Sequence, residues 1–299
     1  MNLHAFVLCL LASGYSLGSA GPDFYRPENA AYTIVDSAKD SVRFALTKCV
    51  TECRCGQLRA TSSFVDPEGR VMGWHDFGHL EGPGWAANAV GGAYEMYRFG
   101  KFLHRPDWQR KSLRVLDHVL EHGFIDQRTG FIRGYRETTT GRFCLNYKHN
   151  SDWFCPGSMA RIAYQLVLFA DALPESDGRR QRMYLAAARC AAWIARHVPN
   201  TPNGWYPRRC DRAGNIYKKS PTGGEDPFWQ SSGDGMFIVQ LQVALSERGL
   251  ADQRATVRSS LNAFVKQGGI FGSINHDTYD PQENVAYAVA FRTLLAAAR

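Results

Sequence analysis

Apolar positions along the chain fall into two alternating kinds of segment. In the first kind they form one stripe. Asp107 to His122 carries Leu113, Leu116, Val119 and Leu120 at helical spacing among charges, the pattern of a helix with one wet face. Residues 29–49, 176–197 and 251–267 follow the same pattern. In the second kind, apolar and small residues occupy most of the girth. Trp85 to Phe102, Ser158 to Ala172, Gly235 to Ser246 and Val285 to Ala298 read this way, as helices buried on most sides. The two kinds alternate, which predicts inner helices backed by outer ones. The breakers agree. Arg105-Pro106-Asp107 puts proline at a helix start. His122-Gly123 and Gln267-Gly268 put glycine just past a helix end.

The inner helices close a unit that recurs four times. Each copy opens with a glycine-bearing turn, passes an acidic residue beside an aromatic one, and runs into the inner helix. The turns are Asp66 to Gly69, Asp126 to Gly130, Asp211 to Gly214 and Gly268 to Phe271. The spacing of roughly 60 to 80 residues suits one supersecondary unit stacking on its neighbours. The fold class predicted is all-α, an (α/α) toroid of helical hairpins, with four outer and four inner helices. A tetratricopeptide-type solenoid has a shorter period of about 34 residues and lacks the long inserts seen here. Four hairpins are fewer than a six-hairpin ring, so the toroid is smaller, open, or incomplete. The stretches around residues 130–134, 204–217 and 269–274 read as short hairpins or loops at one rim.

Two readings of residues 1–20 compete. Phe6 to Ala12 is apolar and Gly18-Ser-Ala20 is small, as in a cleaved leader, yet no Lys or Arg precedes the run. Alternatively residues 4–15 end a fifth inner helix. A leader implies a secreted or periplasmic protein, an inner helix a cytoplasmic one. Residues 21–299 form a single domain on this reading, because no linker composition interrupts them. No other segment is apolar enough to span a membrane.

At 299 residues, 44% hydrophobic and 21% charged, the composition is that of an ordinary globular protein. The net charge of +7 fits either a solubilising surface or an acidic partner. Nucleic acid is disfavoured, since Lys and Arg are scattered and no recognition motif appears. The eight cysteines are too few for a disulfide scaffold. Cys49, Cys53 and Cys55 cluster, but a metal site would need a fourth ligand, and no His lies close in sequence. A disulfide or free thiols are expected there, with no metal and no cofactor.

Candidate chemistry concentrates in residues 74–85, which supply Trp74, His75, Asp76, His79, Glu81 and Trp85. Sugar rings offer apolar faces to aromatic residues and hydroxyls to carboxylates and imidazoles, so this density suits a saccharide. Asp152 beside Trp153, and Asp226 near Trp229, hold the same place in the next two units. Asp before a helix is commonly an N-cap, so each has a structural reading too, and Asp234 reads as a cap. His149, His276, Tyr279 and Arg208 are candidates for binding a uronate carboxylate or acting as base.

These strings carry a resemblance to known families. The alternating helices and their rim loops resemble the (α/α) toroids of the six-hairpin glycosidase superfamily, from about residue 29 onward. Trp74-His75-Asp76-Phe77-Gly78 resembles the His-Asp-Leu-Gly string of unsaturated glucuronyl hydrolases, with Phe77 in place of Leu. The resemblance implies that Asp76 is functional. Leu80-Glu81-Gly82-Pro83-Gly84-Trp85 is similar to the Leu-Glu-Pro-Gly-Trp string of glucuronyl C5-epimerases, with Gly82 inserted. Gly78-His79-Leu80-Glu81 is similar to the Gly-His-x-x-Glu string of N-acylglucosamine 2-epimerases, one residue short. All three families act on sugars.

The expected function is therefore a glycoside hydrolase acting on an acidic saccharide. A glycosidase needs one carboxyl to protonate the leaving oxygen and a second to act on water or the anomeric carbon. Asp76 is the lead acid, with Asp152, Asp226 and Glu81 as partners. Trp74, Trp85, Trp153 and Trp229 are sugar platforms, and His75, His79, His149 and Tyr279 complete the binding set. A uronyl epimerase or lyase is the alternative on this fold, needing a base and a cation facing the carboxylate; Tyr135, Tyr147, His149, Arg133 and Arg136 qualify. A non-catalytic helical-repeat binding protein is the alternative from another class.

Overall fold

The structure, a computed structural model, describes residues 31–62, 65–72, 79–146, 152–218, 232–269 and 284–299. The described residues divide into two compact units, split after Arg43. In the first, helix α1 (Ile34–Phe44) begins at a reciprocal cap. The Asp36 N–H donates to Thr33 Oγ1 at 3.2 Å, while the Thr33 N–H donates to Asp36 Oδ2 at 3.1 Å, so each side chain satisfies the other's orphan donor. The outer helix predicted over residues 29–49 is thus shorter, and a π-helical turn (Ala45–Cys49) follows it.

The second unit continues into the hairpin β1 (Val50–Glu52) and β2 (Leu58–Ala60). Helices α2 (Ala89–Phe102) and α3 (Pro106–Glu121) form one helical hairpin, α4 (Pro156–Ala172) and α5 (Gly178–His197) a second, and α6 (Gly235–Glu247) and α7 (Arg254–Lys266) a third. Helix α8 (Asn284–Ala297) packs on α6, and α2, α4 and α6 pack on one another in succession. Inner and outer roles follow the predicted alternation. Every residue of α6 from Gly235 to Leu245 is buried. On α3 the buried set is Trp108, Ser112, Val115, Leu116, His118, Val119 and Leu120, one stripe of an amphipathic helix. Pro106 stands in the first turn of α3, and Gly123 and Gly268 follow helix ends with φ +81° and +84°, left-handed values that suit glycine.

The core runs through the inner row and the inward stripes of α3 and α5. Phe131, Phe154 and Trp193 form an aromatic triangle within it, with ring centroids 4.8 to 5.6 Å apart. Asp171, near the end of α4, accepts from Tyr184 Oη on α5 at 2.6 Å and from Arg248 Nη2 after α6 at 2.7 Å. Helix α8 departs from its predicted burial: Ala290 and Thr293 are buried, but Tyr287 and Phe291 are exposed. No helix of the described residues is long and apolar enough to cross a membrane.

Connections within each helical hairpin are short, whereas those leading into α2, α4 and α6 are long and carry strands. These are β3 (Leu80–Glu81), β4 (Tyr135–Glu137), β5 (Phe143–Cys144), β6 (Trp153–Phe154) and β7 (Cys210–Asp211). Strands β3, β4 and β5 form one antiparallel sheet, with Glu81 opposite Arg136 and Arg136 opposite Phe143. Strands β6 and β7 form another, with Trp153 opposite Asp211. Each sheet therefore joins the loop of one hairpin to the loop of the next.

Candidate active site

The long loops bring their residues to the ends where the inner helices begin. The turns that open with Asp and close with Gly are structural. Asp66, Asp126 and Asp211 each use Oδ1 to accept backbone N–H groups two to four residues on, the Asx-turn chemistry of a short acidic side chain.

In the first loop, helix α2 starts four residues later than the apolar run predicts. Asn88 takes a left-handed conformation, φ 44°, and its N–H donates to the Gly84 carbonyl at 2.6 Å. Asn tolerates that region better than most residues. The Asn88 side chain also accepts from Gln165 Nε2 of α4 at 3.1 Å. Gly84 is required where it is, since a Cβ there would run into the Tyr135 ring. Trp85 is half-buried and packs with Leu80, Ala86, Tyr135, Cys144 and Trp153. His79 is exposed in a turn, its carbonyl accepting the Thr138 N–H at 2.8 Å.

Glu81 is 1% exposed and sits among cations. Its Oε1 accepts from Arg136 Nε at 2.5 Å, and its Oε2 lies 3.4 Å from His118 Nε2 and 3.8 Å from Arg59 Nε. Burial pushes the carboxyl up, but hydrogen bonds from His118 and Arg136 and the Arg136 charge outweigh it and hold it below the usual carboxylate range. A buried carboxylate kept charged in this way anchors the loop. It has no proton to give at neutral pH, and no open face toward a substrate.

In the second loop, Asp152 is exposed and lies outside the helix it was expected to cap: α4 takes Cys155 as its N-cap residue. After burial, the Asp152 charge is the next cause that raises the Tyr217 hydroxyl above its ordinary range, so the carboxylate lies within electrostatic reach of it. Trp153 is buried, with the Arg209 guanidinium 5.5 Å from its ring centroid and its carbonyl accepting from Asn146 Nδ2 at 2.6 Å. The ring is packed into the apolar cluster with little of it exposed. Of the expected sugar platforms among the described residues, Trp85 keeps partial exposure, and Tyr217 joins it in the same apolar cluster.

In the third loop, the Trp205 indole donates to the Ser232 carbonyl at 2.8 Å, and Gly235 rests against its ring. Asp234 occupies the N-cap position of α6 without a side-chain cap bond. Its backbone touches Gly157 in the first turn of α4, where a Cβ would clash. The starts of α4 and α6 are thereby drawn together. Arg161, on the second turn of α4, is half-buried; burial pulls its guanidinium below its ordinary range, opposed by the neighbouring Tyr135 and Asp234. This cation was not singled out from the sequence, where it looks like one more helical Arg. Of the residues suited to lyase chemistry, Tyr135 is buried, Arg136 is committed to Glu81, and Arg133 Nη1 donates to the Gly123 carbonyl at 2.9 Å. Trp74, His75, Asp76, His149, Asp226, Trp229 and Tyr279, with Tyr147 and His276, lie outside the described residues, as do residues 4–15. A separate cleft of about 350 Å³, lined by Tyr164, Gln240, Glu247, Arg248 and Arg292, opens at the other ends of these helices.

No protein-family model matches the chain, and no curated protein matches it in sequence. Solved structures do match. A possible member of the GH105 family from Salmonella enterica serovar Paratyphi A aligns over 91% of this chain at 14% identity, with a TM-score of 0.55. A possible GH105 member from Klebsiella pneumoniae aligns over 91% at 12% identity, TM-score 0.55. Cellobiose 2-epimerase from Spirochaeta thermophila aligns over 91% at 14% identity, TM-score 0.51. The chain covers 66%, 66% and 65% of those three, just under two thirds of their length. The fold is thereby defined: an (α/α) toroid of helical hairpins, the architecture of these three solved structures.

Proposed function

We propose that this chain is a carbohydrate-active enzyme, a glycoside hydrolase acting on acidic, uronate-containing saccharides. The observation that carries the reading is at Asp152. It is an exposed carboxylate with no capping duty, within electrostatic reach of the half-exposed Tyr217, which itself packs in one cluster with Trp85. A carboxylate next to aromatic faces is what a sugar hydroxyl and ring require. The half-buried Arg161 guanidinium supplies a cation suited to a uronate carboxylate. The likeness to two possible GH105 members is one of fold, and a glycoside hydrolase is compatible with it.

In this reading Asp76 gives the proton and Asp152 or Asp226 acts on water, with Trp74, Trp229 and Tyr279 as further sugar contacts and His75, His79 and His149 as polar ones. Glu81 anchors the loop that carries them. A second reading is an epimerase, a reaction that a protein of similar fold, a cellobiose 2-epimerase, is named for; on an acidic saccharide it would remove and return the proton beside the carboxylate. One assay separates the two. The purified protein is mixed with acidic polysaccharides and with unsaturated oligosaccharides prepared from them. Loss of the conjugated double-bond absorbance, or new reducing ends, supports the hydrolase. Solvent deuterium at the carbon bearing the carboxylate, in an otherwise intact chain, supports the epimerase. Silence in all channels overturns both.

A further inference from the structure

Among the described residues, Cys53, Cys55, His118 and His122 bring one ligand atom each within 4.8 Å of one another. The cysteines belong to the turn of the β1–β2 hairpin, where the Cys53 N–H donates to the Gln57 carbonyl at 2.9 Å. The histidines stand four residues apart at the end of α3, on one face of the helix, with their rings stacked at 4.5 Å. The turn is docked against that helix. Arg114 Nε donates to the Gly56 carbonyl at 3.0 Å, and Gln57 bonds to Glu121. Cys55 Sγ lies 3.4 Å from His122 Nε2.

A second observation points to a ligand. His118 is 2% exposed, and its Nδ1 is buried with no hydrogen-bond partner. Its Nε2 is occupied, 3.4 Å from Glu81 Oε2 and 3.2 Å from Arg136 Nη2. Arg136 can only donate, so the tautomer that donates from Nε2 to Glu81 requires the Arg136 contact to give way; in it the buried Nδ1 carries a lone pair and no proton. A buried imidazole nitrogen in that state wants a donor or a cation, and a carboxylate behind the ring is the usual support of a metal-bound histidine.

We propose that Cys53, Cys55, His118 and His122 form a structural site for one zinc-class cation when both cysteines are thiols. Two sulfurs and two imidazoles are the donor set of tetrahedral zinc, whose ligand atoms stand about 3.3 to 3.8 Å apart at ordinary bond lengths. From the observed spread of up to 4.8 Å the outer members of the group close in slightly, while the two sulfurs, bonded to each other here, move apart to reach that range. The Cys-x-Cys spacing is one residue tighter than the usual motif, and His-x3-His is within it. The end of α3 adds the negative pole of the helix, which favours a cation. All four positions are filled by protein, leaving none for water, so the ion ties the β1–β2 hairpin to α3 rather than reacting. Binding releases two protons as both thiols become thiolates. In this structure Cys53 and Cys55 are joined as a disulfide; that form and the metal form exclude each other. The site is independent of the saccharide reading.

The test uses the full chain, reduced with a phosphine, stripped with a chelator and kept anaerobic. Cobalt(II) is the probe. The expected result is a thiolate-to-cobalt charge-transfer band with tetrahedral visible bands, saturating at one equivalent and bleached by zinc(II). The double variant C53S/C55S, changed only in a partly exposed turn, should stay folded by circular dichroism and lose the charge-transfer band. His122→Ala should weaken cobalt binding by at least about tenfold, since even losing an outer partner of a ligand costs that much. Three results overturn the proposal: no charge-transfer band in protein whose thiols titrate as free; a band that survives in C53S/C55S, which would belong to other cysteines; or a Cys53–Cys55 bond that resists the phosphine.

Discussion

At the scale of single residues, the structure separates acids that hold the chain from an acid, Asp152, that stays exposed. Asp66, Asp126 and Asp211 are consumed by backbone N–H groups, and Glu81 by arginine. Asp152 is not, and it is the described residue on which the saccharide reading turns. Asp152→Asn and Asp76→Asn should each lower turnover by about 100- to 10,000-fold, the usual span for losing a positioned acid or base, with the far-ultraviolet dichroism unchanged. Wild-type turnover in both variants would remove these carboxylates from the mechanism. Gly130 offers a test of backbone geometry. Its φ is +83°, and a Cβ would press on the Arg189 backbone of α5. Gly130→Ala should therefore cost more than the roughly 1–2 kcal/mol of a left-handed non-glycine residue, read by chemical denaturation.

At the scale of elements, the alternation of girdled and striped helices was legible because burial writes itself into hydrophobic periodicity. The inner helix predicted from Gly235 to Ser246 ends one residue away from the observed Glu247. What periodicity could not see was local. The late start of α2 is due to the left-handed Asn88, and the early end of α1 to the π-helical turn after it. The inner helices should also dominate stability unequally. Leu166 on α4 is fully buried between neighbours, so Leu166→Ala should cost about 2–5 kcal/mol. Phe291 on α8 is 62% exposed, and its replacement by Ala should stay within about 0.5 kcal/mol. Near-equal losses would contradict the inner row described here. Asp171 joins α4 to α5 and to the end of α6. Burial raises its carboxyl, but hydrogen bonds from Arg248 and Tyr184 and the Arg248 charge hold it below the usual range. A carboxyl lowered on folding contributes stability that is present above its unfolded value and lost as pH falls through the folded one. The melting temperature should therefore fall below about pH 4, and Asp171→Asn should flatten that acid limb.

At the scale of the whole molecule, the net charge of +7 acquires a testable meaning. If the substrate is a polyanion, its KM should rise with ionic strength, because exposed charges are screened beyond about 10 Å at 0.1 M salt; a neutral analogue should show no such slope. An identical, flat response for both would reduce the charge to a solubility device. The candidate site was only partly legible, for a physical reason. Residue types can advertise sugar chemistry, but only the fold reveals which acids are already spoken for. The same blindness hid the Cys–His group, whose members are 67 residues apart at Cys55 and His122 and meet only because a hairpin docks on a helix. One last consequence follows from the rim sheets, which join β3 to β4 and β6 to β7 across successive hairpins. The chain is cross-stitched as well as stacked. A protease cut in the turn between α4 and α5 would sever the thread but not the seam, since β6 and β7 and the paired helices span the gap. Two separately made fragments divided there should find each other and assemble, as halves of a zipper do once the first teeth engage.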